Sequence, residues 1–409
     1  KLKNLNKLKI DVYEVSRVKN KSQIHVKKQI RSNGKYEGAS KGRFFGPGGT
    51  SNLWGGQLVF LDENKFDTIL GNNIKFICKK FKKNVLDFFR INHNDTNKNN
   101  LISGYWLKST KRSILNYSKP KTIQFYDIKK IIKNNDKTFS IFDRGDNLIA
   151  SYDRVYLTTG SFEIAEILYN SNLIKSSLIN FTDHISVPLV TVKDEKPNIF
   201  GNKINIKVSG QSIRTLRYPI FKEGFISLVF NEETWFFQFL KKILYPGTKI
   251  NKTEKKSFFS ELKFMMNFIY SYLFKKEIYI DYREWRLICD IEKKQKAIFD
   301  IVKKRIDWKL DKTSFNRLCQ IQKEVINYYN LKSTLTKVDA IKFEKIIDSY
   351  HPVNFTNIDS NELIVPIDGK KIDGIFCFGT LMLPFCTYSN PSGTVFCLIE
   401  KHLDEFYFR

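Results

Sequence analysis

The sequence predicts an α/β fold: a discontinuous domain of parallel strands and helices, interrupted by a second domain of antiparallel strands and helices. Three observations predict it. A dense glycine segment, "GPGGTSNLWGG" (46–56), lies near the start. Strand–glycine turn–helix text stands at 152–168, "YDRVYLTTGSFEIAEIL", and again near the end, "KKIDGIFCFGTLMLP" and "NPSGTVFCLIEKHLDEFYF". Between the two, residues 186–232 and 276–307 alternate in the manner of antiparallel strands, which places a β-rich unit inside an α/β one.

The elements follow in order. "KIDVYEV" (9–15) is a β-branched and aromatic run that ends in an acid, a strand by composition. Residues 19–45 are polar and basic and read as loop; 75–90 and 98–117 read as amphipathic helices. Several short strands fill 119–156, and "SFEIAEILYNS" carries apolar residues at helical spacing. Residues 311–332 form an amphipathic helix with Asp311 as its N-cap. By this reading the first domain takes 1–66, 145–190 and 345–409, and the substrate-binding region takes 67–144 and 191–344.

Composition narrows the class. The chain has 409 residues, 42% hydrophobic and 14% aromatic, enough for a large core and against global disorder. Its formal net charge is +27, which invites an anionic partner. The lysines are spread along the chain among asparagines and isoleucines with no nucleic-acid-binding signature, so nucleic acid is not expected as a partner. The six cysteines show neither CxxC spacing nor a Cys/His pattern. No metal is expected, and with no signal peptide at the start they read as reduced thiols of a cytoplasmic protein. Residues 233–276 are aromatic and basic; they read first as cover for a pocket or as core, and second as a peripheral contact with an anionic membrane.

Glycine lacks a side chain to pack and costs backbone entropy, so a glycine cluster marks a close approach to the backbone. A strand–glycine–helix turn offers backbone N–H groups and a helix N-terminus to an anion such as a pyrophosphate. The usual GxGxxG is absent, but Glu14 stands where a ribose-binding acid would sit if the first strand and its loop lay upstream of Lys1. The opening residues, which do not begin with methionine, accordingly read as those of a fragment.

"GPGGTSNLWGGQ", "YDRVYLTTGSFEIAEIL", "FTDHISVPLV" (181–190) and the C-terminal third together resemble the glucose–methanol–choline (GMC) oxidoreductases, closest in motif style to the sugar oxidoreductases similar to pyranose oxidase. The resemblance implies an FAD/NAD(P)-binding Rossmann-like domain and non-covalent FAD, because Leu53 stands where some relatives attach the flavin through histidine. It implies cofactor contacts from Gly48, Gly49, Thr50, Ser51, Asn52, Trp54, Gly55, Gly56, Thr159, Gly160, Glu163, Gly379, Thr380, Asn390 and Pro391, with Glu14 on the ribose. Asp183 and His184 match a structural element of the family.

Oxidation of a CH–OH group needs a base for the hydroxyl proton and a hydride acceptor, flavin N5 in this family. The resemblance gives His351 as base and Asn390 as its hydrogen-bonding partner. The substrate would be a small alcohol or a sugar-like compound; the electron acceptor, oxygen or a carrier, is left open. Three residues depart from the family pattern: Asn354 and Phe355 replace a usual Gly-Thr, and Phe378 precedes Gly379 where small or acidic residues are common. The resembled family includes lyases, which keeps open a lyase of the same fold, and the departures keep open a non-catalytic protein that binds a membrane or a partner.

Overall fold

The computed structural model describes residues 10–15, 30–34, 36–39, 43, 45, 47, 49–52, 56–61, 69–91, 102–107, 113–117, 123–193, 198–200, 202–203, 207–209, 212–220, 224–230, 262, 266, 270, 274, 278–279, 284–346, 348–385 and 390–407. The architecture is α/β, as the sequence predicts. Parallel pairing appears where the glycine turns are: the strand Val155–Leu157 lies beside Ile375–Cys377, with Leu157 opposite Cys377. A second parallel pair joins Tyr13–Glu14 to Gln124–Phe125. A three-stranded meander, Ile128–Lys133, Phe139–Asp143 and Leu148–Tyr152, precedes the turn at Gly160.

The middle of the chain builds a nine-stranded sheet. Its centre is His184–Lys193 against Glu284–Glu292 against Gly224–Phe230, all antiparallel. A further sheet of five strands carries Leu178–Thr182 between Ala297–Asp300 and Val353–Asn357. Leu178–Thr182 leads through Asp183 directly into His184–Lys193, so one stretch of chain links the two sheets. Four helices carry the remaining order among the described residues: α1 (Ile69–Phe88), α2 (Ser161–Asn170), α3 (Lys312–Asn330) and α4 (Ser392–Tyr407). The Asp311 carboxylate accepts from the Ser314 backbone N–H at 2.7 Å, the cap that the sequence predicts.

Three local expectations are corrected. Residues 98–117 were expected to be helical, but Ile102–Leu107 is a strand between Gln57–Val59 and Ser212–Ile220. It is covered on both faces, which removes the period-2 alternation that marks a half-exposed strand. The predicted loop 19–45 contains a strand, Arg31–Asn33, and a single 3₁₀ turn, Glu37–Ala39. Helix α1 begins at Ile69, ahead of the expected 75.

The core is aromatic where the parallel-strand region meets the five-stranded sheet. Phe162 of α2 packs edge-on to Phe181, Phe299 and Phe355, with ring centroids 5.0–5.4 Å apart. Each buried ring contributes on the order of 2–3 kcal/mol of transfer free energy. This cluster fixes α2 against the strand Val353–Asn357, which follows the candidate histidine in the chain.

Candidate functional site

Two glycine turns meet at one edge. The strand Val155–Leu157 runs into Thr159 and Gly160, and its parallel neighbour Ile375–Cys377 runs into Gly379 and Thr380. The backbone N–H of Phe378 donates to Leu157 O at 2.9 Å, and the Ser161 and Thr380 hydroxyls bond at 2.9 Å. Gly160 has φ +103, which a residue with a Cβ rarely adopts, and caps α2. A Cβ there would stand 2.9 Å from Glu163 Oε2, because that carboxylate folds back over the turn. Glu163 is buried and ion-paired with Arg43, so in this structure it neutralises a partly buried guanidinium.

The C-terminal residues join the glycine segment. The Asn390 amide donates to Gln57 Oε1, and Gln57 is fully buried at the head of Gln57–Val59. Behind Pro391, α4 starts against that same strand. Gly393 makes the approach, since a Cβ there would stand 2.5 Å from Val59 O. Thr394, one residue on, is fully buried, and its hydroxyl has no hydrogen-bond partner. Ser51 accepts from the Ile114 backbone N–H at 3.0 Å, which anchors the 3₁₀ turn Gly49–Asn52. Gly56 is buried at φ +73. Gly48, Leu53, Trp54 and Gly55, and the side chains of Thr50 and Asn52, lie outside the described residues.

His351 belongs to a separate polar cluster. Its backbone N–H donates to the Asp183 carboxylate at 3.0 and 3.2 Å. Its ring lies flat on that of His184, with centroids 5.1 Å apart and planes 21° from parallel. Asp183 is fully buried and also accepts from His184 N at 2.7 Å and from the Tyr36 hydroxyl at 3.1 Å. His184 Nδ1 lies 3.3 Å from Asp183 Oδ1. Asp348 accepts from Glu37 N at 2.6 Å, Gly38 N at 2.8 Å and Tyr350 N at 3.3 Å. The Tyr350 hydroxyl donates to Glu37 at 2.8 Å. Burial, with the Asp183 carboxylate beside it, pushes the Asp348 carboxyl up to about 7. The same 3₁₀ turn, Glu37–Ala39, thus grips the loop that presents His351.

The structure disposes of the departures in different ways. Asn354 sits at φ +55, a left-handed conformation that asparagine tolerates better than most residues and that glycine would take freely. Phe355 is fully buried and stacks on Phe181 at 5.4 Å, so it fills the core. Phe378 is buried in an aromatic group with Tyr156 and His402 of α4.

Glu14 ends the strand parallel to Gln124–Phe125, and burial raises its carboxyl to about 7. Gln57, Tyr36, Glu37 and Asp348 were not anticipated from sequence. Asp348 had a weak signal, an acid three residues ahead of His351 in "DSYH"; the others touch residues more than 100 positions away. Among the described residues no group of three His, Cys, Asp or Glu side chains is arranged to hold a metal ion, and no helix is long and apolar enough to cross a membrane.

No family model and no curated protein sequence matches the chain. Among solved structures it is similar to pyridoxine 4-oxidase from Mesorbium loti, at 9% identity and a TM-score of 0.39. That match covers 74% of this chain and 62% of the other, so this chain spans less than two thirds of that protein's length.

Proposed function

We propose that the chain is a flavin-dependent oxidoreductase of the GMC type that oxidises a CH–OH group. The observation that carries this reading is the meeting of the Gly160 and Gly379 turns at the carboxyl ends of adjacent parallel strands. Ligand crevices in α/β sheets lie at that edge.

The residues present fit FAD. Gly49 opens the turn Gly49–Asn52 at φ +52, a conformation that glycine takes freely. The N-terminus of α4 brings a partial positive charge and the buried, unsatisfied Thr394 hydroxyl. Thr159, Gly160, Gly379, Thr380, the turn Gly49–Asn52, Gly56 and Pro391 would hold the cofactor, and the resemblance adds Gly48, Trp54 and Gly55 and puts Glu14 on the ribose. Bound there, FAD supplies a hydride acceptor. Glu163 is assigned a second task besides any contact with the cofactor: it keeps Arg43 neutralised next to the turn.

The chain's own residues supply the proton chemistry. His351 takes the hydroxyl proton of the substrate on its imidazole. Asn390 orients the substrate oxygen, and Gln57 fixes the plane of its amide. Asp183 and Asp348 hold the His351 loop in place from below. The alcohol class, and a sugar-like substrate within it, follow from the motif style of "GPGGTSNLWGGQ".

The test is the visible spectrum of the full protein purified with FAD, before and after anaerobic addition of an alcohol and sugar panel. A flavin spectrum that bleaches with one compound supports the reading. A flavin spectrum that no compound bleaches shifts weight to a lyase or a non-catalytic relative. Absence of flavin removes the reading.

A second reading is favoured by one observation. Met266, Tyr270 and Phe274 follow one another at four-residue steps, and all three are exposed. The rest of 233–276, Leu262 apart, lies outside the described residues. With a formal net charge of +27, such a stripe suits an anionic membrane surface. Co-flotation with phosphatidylserine vesicles, lost at high salt, would support it; no flotation would remove it.

A further inference from the structure

The Asp183–His184 pair is the most buried polar feature near His351, and the proposed chemistry gives it no step of its own. Asp183 is the common acceptor of three residues, two of them from distant parts of the chain: Tyr36, the following residue His184, and His351. A fully buried carboxylate is costly unless it is satisfied by donors, so its donors are held firmly. One of those donors is the backbone N–H of His351. His184 supplies the second constraint. It is itself buried, bonded through its backbone to Asp183, and accepts from Ser349 N at 3.1 Å. Its ring forms the floor under the His351 ring.

We infer that Asp183 and His184 are positioning residues for His351, fixing its backbone and the face of its ring and thereby governing when that imidazole takes up a proton. The inference rests on the reading of His351 as base.

The physical argument is electrostatic as well as steric. Two stacked imidazoles cannot both carry a proton cheaply, because like charges at this separation repel with little water between them. The carboxylate of Asp183 acts in the opposite sense and favours positive charge nearby. Among the described residues the other titratable groups around the ring loop are Asp348 and Tyr350 on its own segment, Tyr36 and Glu37 on the facing turn, and Glu292 opposite His184 in the sheet register. The Lys293 ammonium turns away, to the Gln295 carbonyl.

The experiment follows carbethoxylation of His351 by diethyl pyrocarbonate in the full chain. The modified peptide is read by mass spectrometry from about pH 5 to about pH 9, and His351→Gln identifies it. The reagent attacks the neutral ring, so the rate against pH gives the midpoint for that one imidazole. Two variants are compared. His184→Phe keeps a flat ring but cannot carry a proton; Asp183→Asn keeps an acceptor oxygen but loses the charge.

Opposite shifts are expected, each of about half to one pH unit for a single charge at such a distance. The midpoint rises in His184→Phe and falls in Asp183→Asn. General loosening would raise the rate at every pH and leave the midpoint in place. An unmoved midpoint in His184→Phe, or shifts of the same sign in both variants, overturns the inference. If thermal melting shows that Asp183→Asn does not fold, His184→Phe decides alone. Flavin reduction that survives His351→Gln would remove the base and leave the titration result standing, so the two readings fail separately.

Discussion

Gly393 lies so close to Val59 that a Cβ on Gly393 would stand 2.5 Å from the Val59 carbonyl oxygen, 3.0 Å from its carbon and 3.1 Å from its nitrogen. All three are backbone atoms of a buried strand, so none can swing aside. The contact sets how closely the N-terminus of α4 lies on the strand Gln57–Val59.

Gly393→Ala therefore forces α4 away from Gln57–Val59. We expect a loss of roughly 2–3 kcal/mol, the scale of overpacking in a rigid site. Thermal unfolding checks the loss. Flavin content should fall with it, because α4 carries Thr394. A melting temperature equal to the parent's would show that the approach is not tight.

The pH dependence of stability should expose Asp348. Its carboxyl ordinarily titrates near 3.8 but is pushed up to about 7 by burial and by Asp183. Between those values the folded protein keeps a proton that the unfolded chain has released. Stability from this group is therefore present at low pH, falls as pH rises through the window, and levels off above it. Asp348→Asn lacks this slope. The gap in unfolding free energy between variant and parent should change by up to about 1.4 kcal/mol per pH unit across the window. Glu14 shifts in the same direction but is present in both proteins, so it cancels. Identical pH profiles from urea titrations would remove the assignment.

Asn354 offers a test of the backbone beside His351. Its φ of +55 suits glycine and asparagine. Asn354→Gly should be close to neutral, whereas Asn354→Val should cost about 1–2 kcal/mol, the penalty for a bulky residue in that conformation. Urea unfolding of the two variants separates the cases. Equal loss in both would mean that the Asn354 side chain matters more than its backbone.

His351→Gln tests the proposed chemistry. With a reducing alcohol in hand, flavin reduction should slow by about 10²- to 10⁴-fold, the usual contribution of a positioned base. Flavin binding should be unaffected. Stopped-flow reduction read beside the bound-flavin spectrum distinguishes loss of the base from loss of the cofactor.

Legibility in the sequence followed the range of the interactions. Asp311 announces α3 because a cap acts over three residues. The two glycine turns were visible because each is a local strand–turn–helix signal. Ile102–Leu107 was misread because its residues are buried on both faces and leave no alternation. The clamp of Glu37 and Gly38 on Asp348 was invisible, since nothing in 36–39 announces a carboxylate more than 300 residues later. Of the candidate site, His351 and Asn390 were named in advance, while their supports, Asp348 and Gln57, were not.

The bond between Asn390 and Gln57 spans 333 residues, and that between Ser161 and Thr380 spans 219. A ribosome adds roughly 5–20 residues per second, so Gln57 waits on the order of tens of seconds for its partner. Until Ile375–Cys377 emerges the strand Val155–Leu157 lacks that parallel neighbour, and until α4 emerges Val59 lacks the helix that packs on it. The nascent chain therefore carries an open sheet edge at Val155–Leu157 until Ile375–Cys377 is made. The site assembles only after Asn390 is made, and chaperone supply during expression should govern the yield of folded protein.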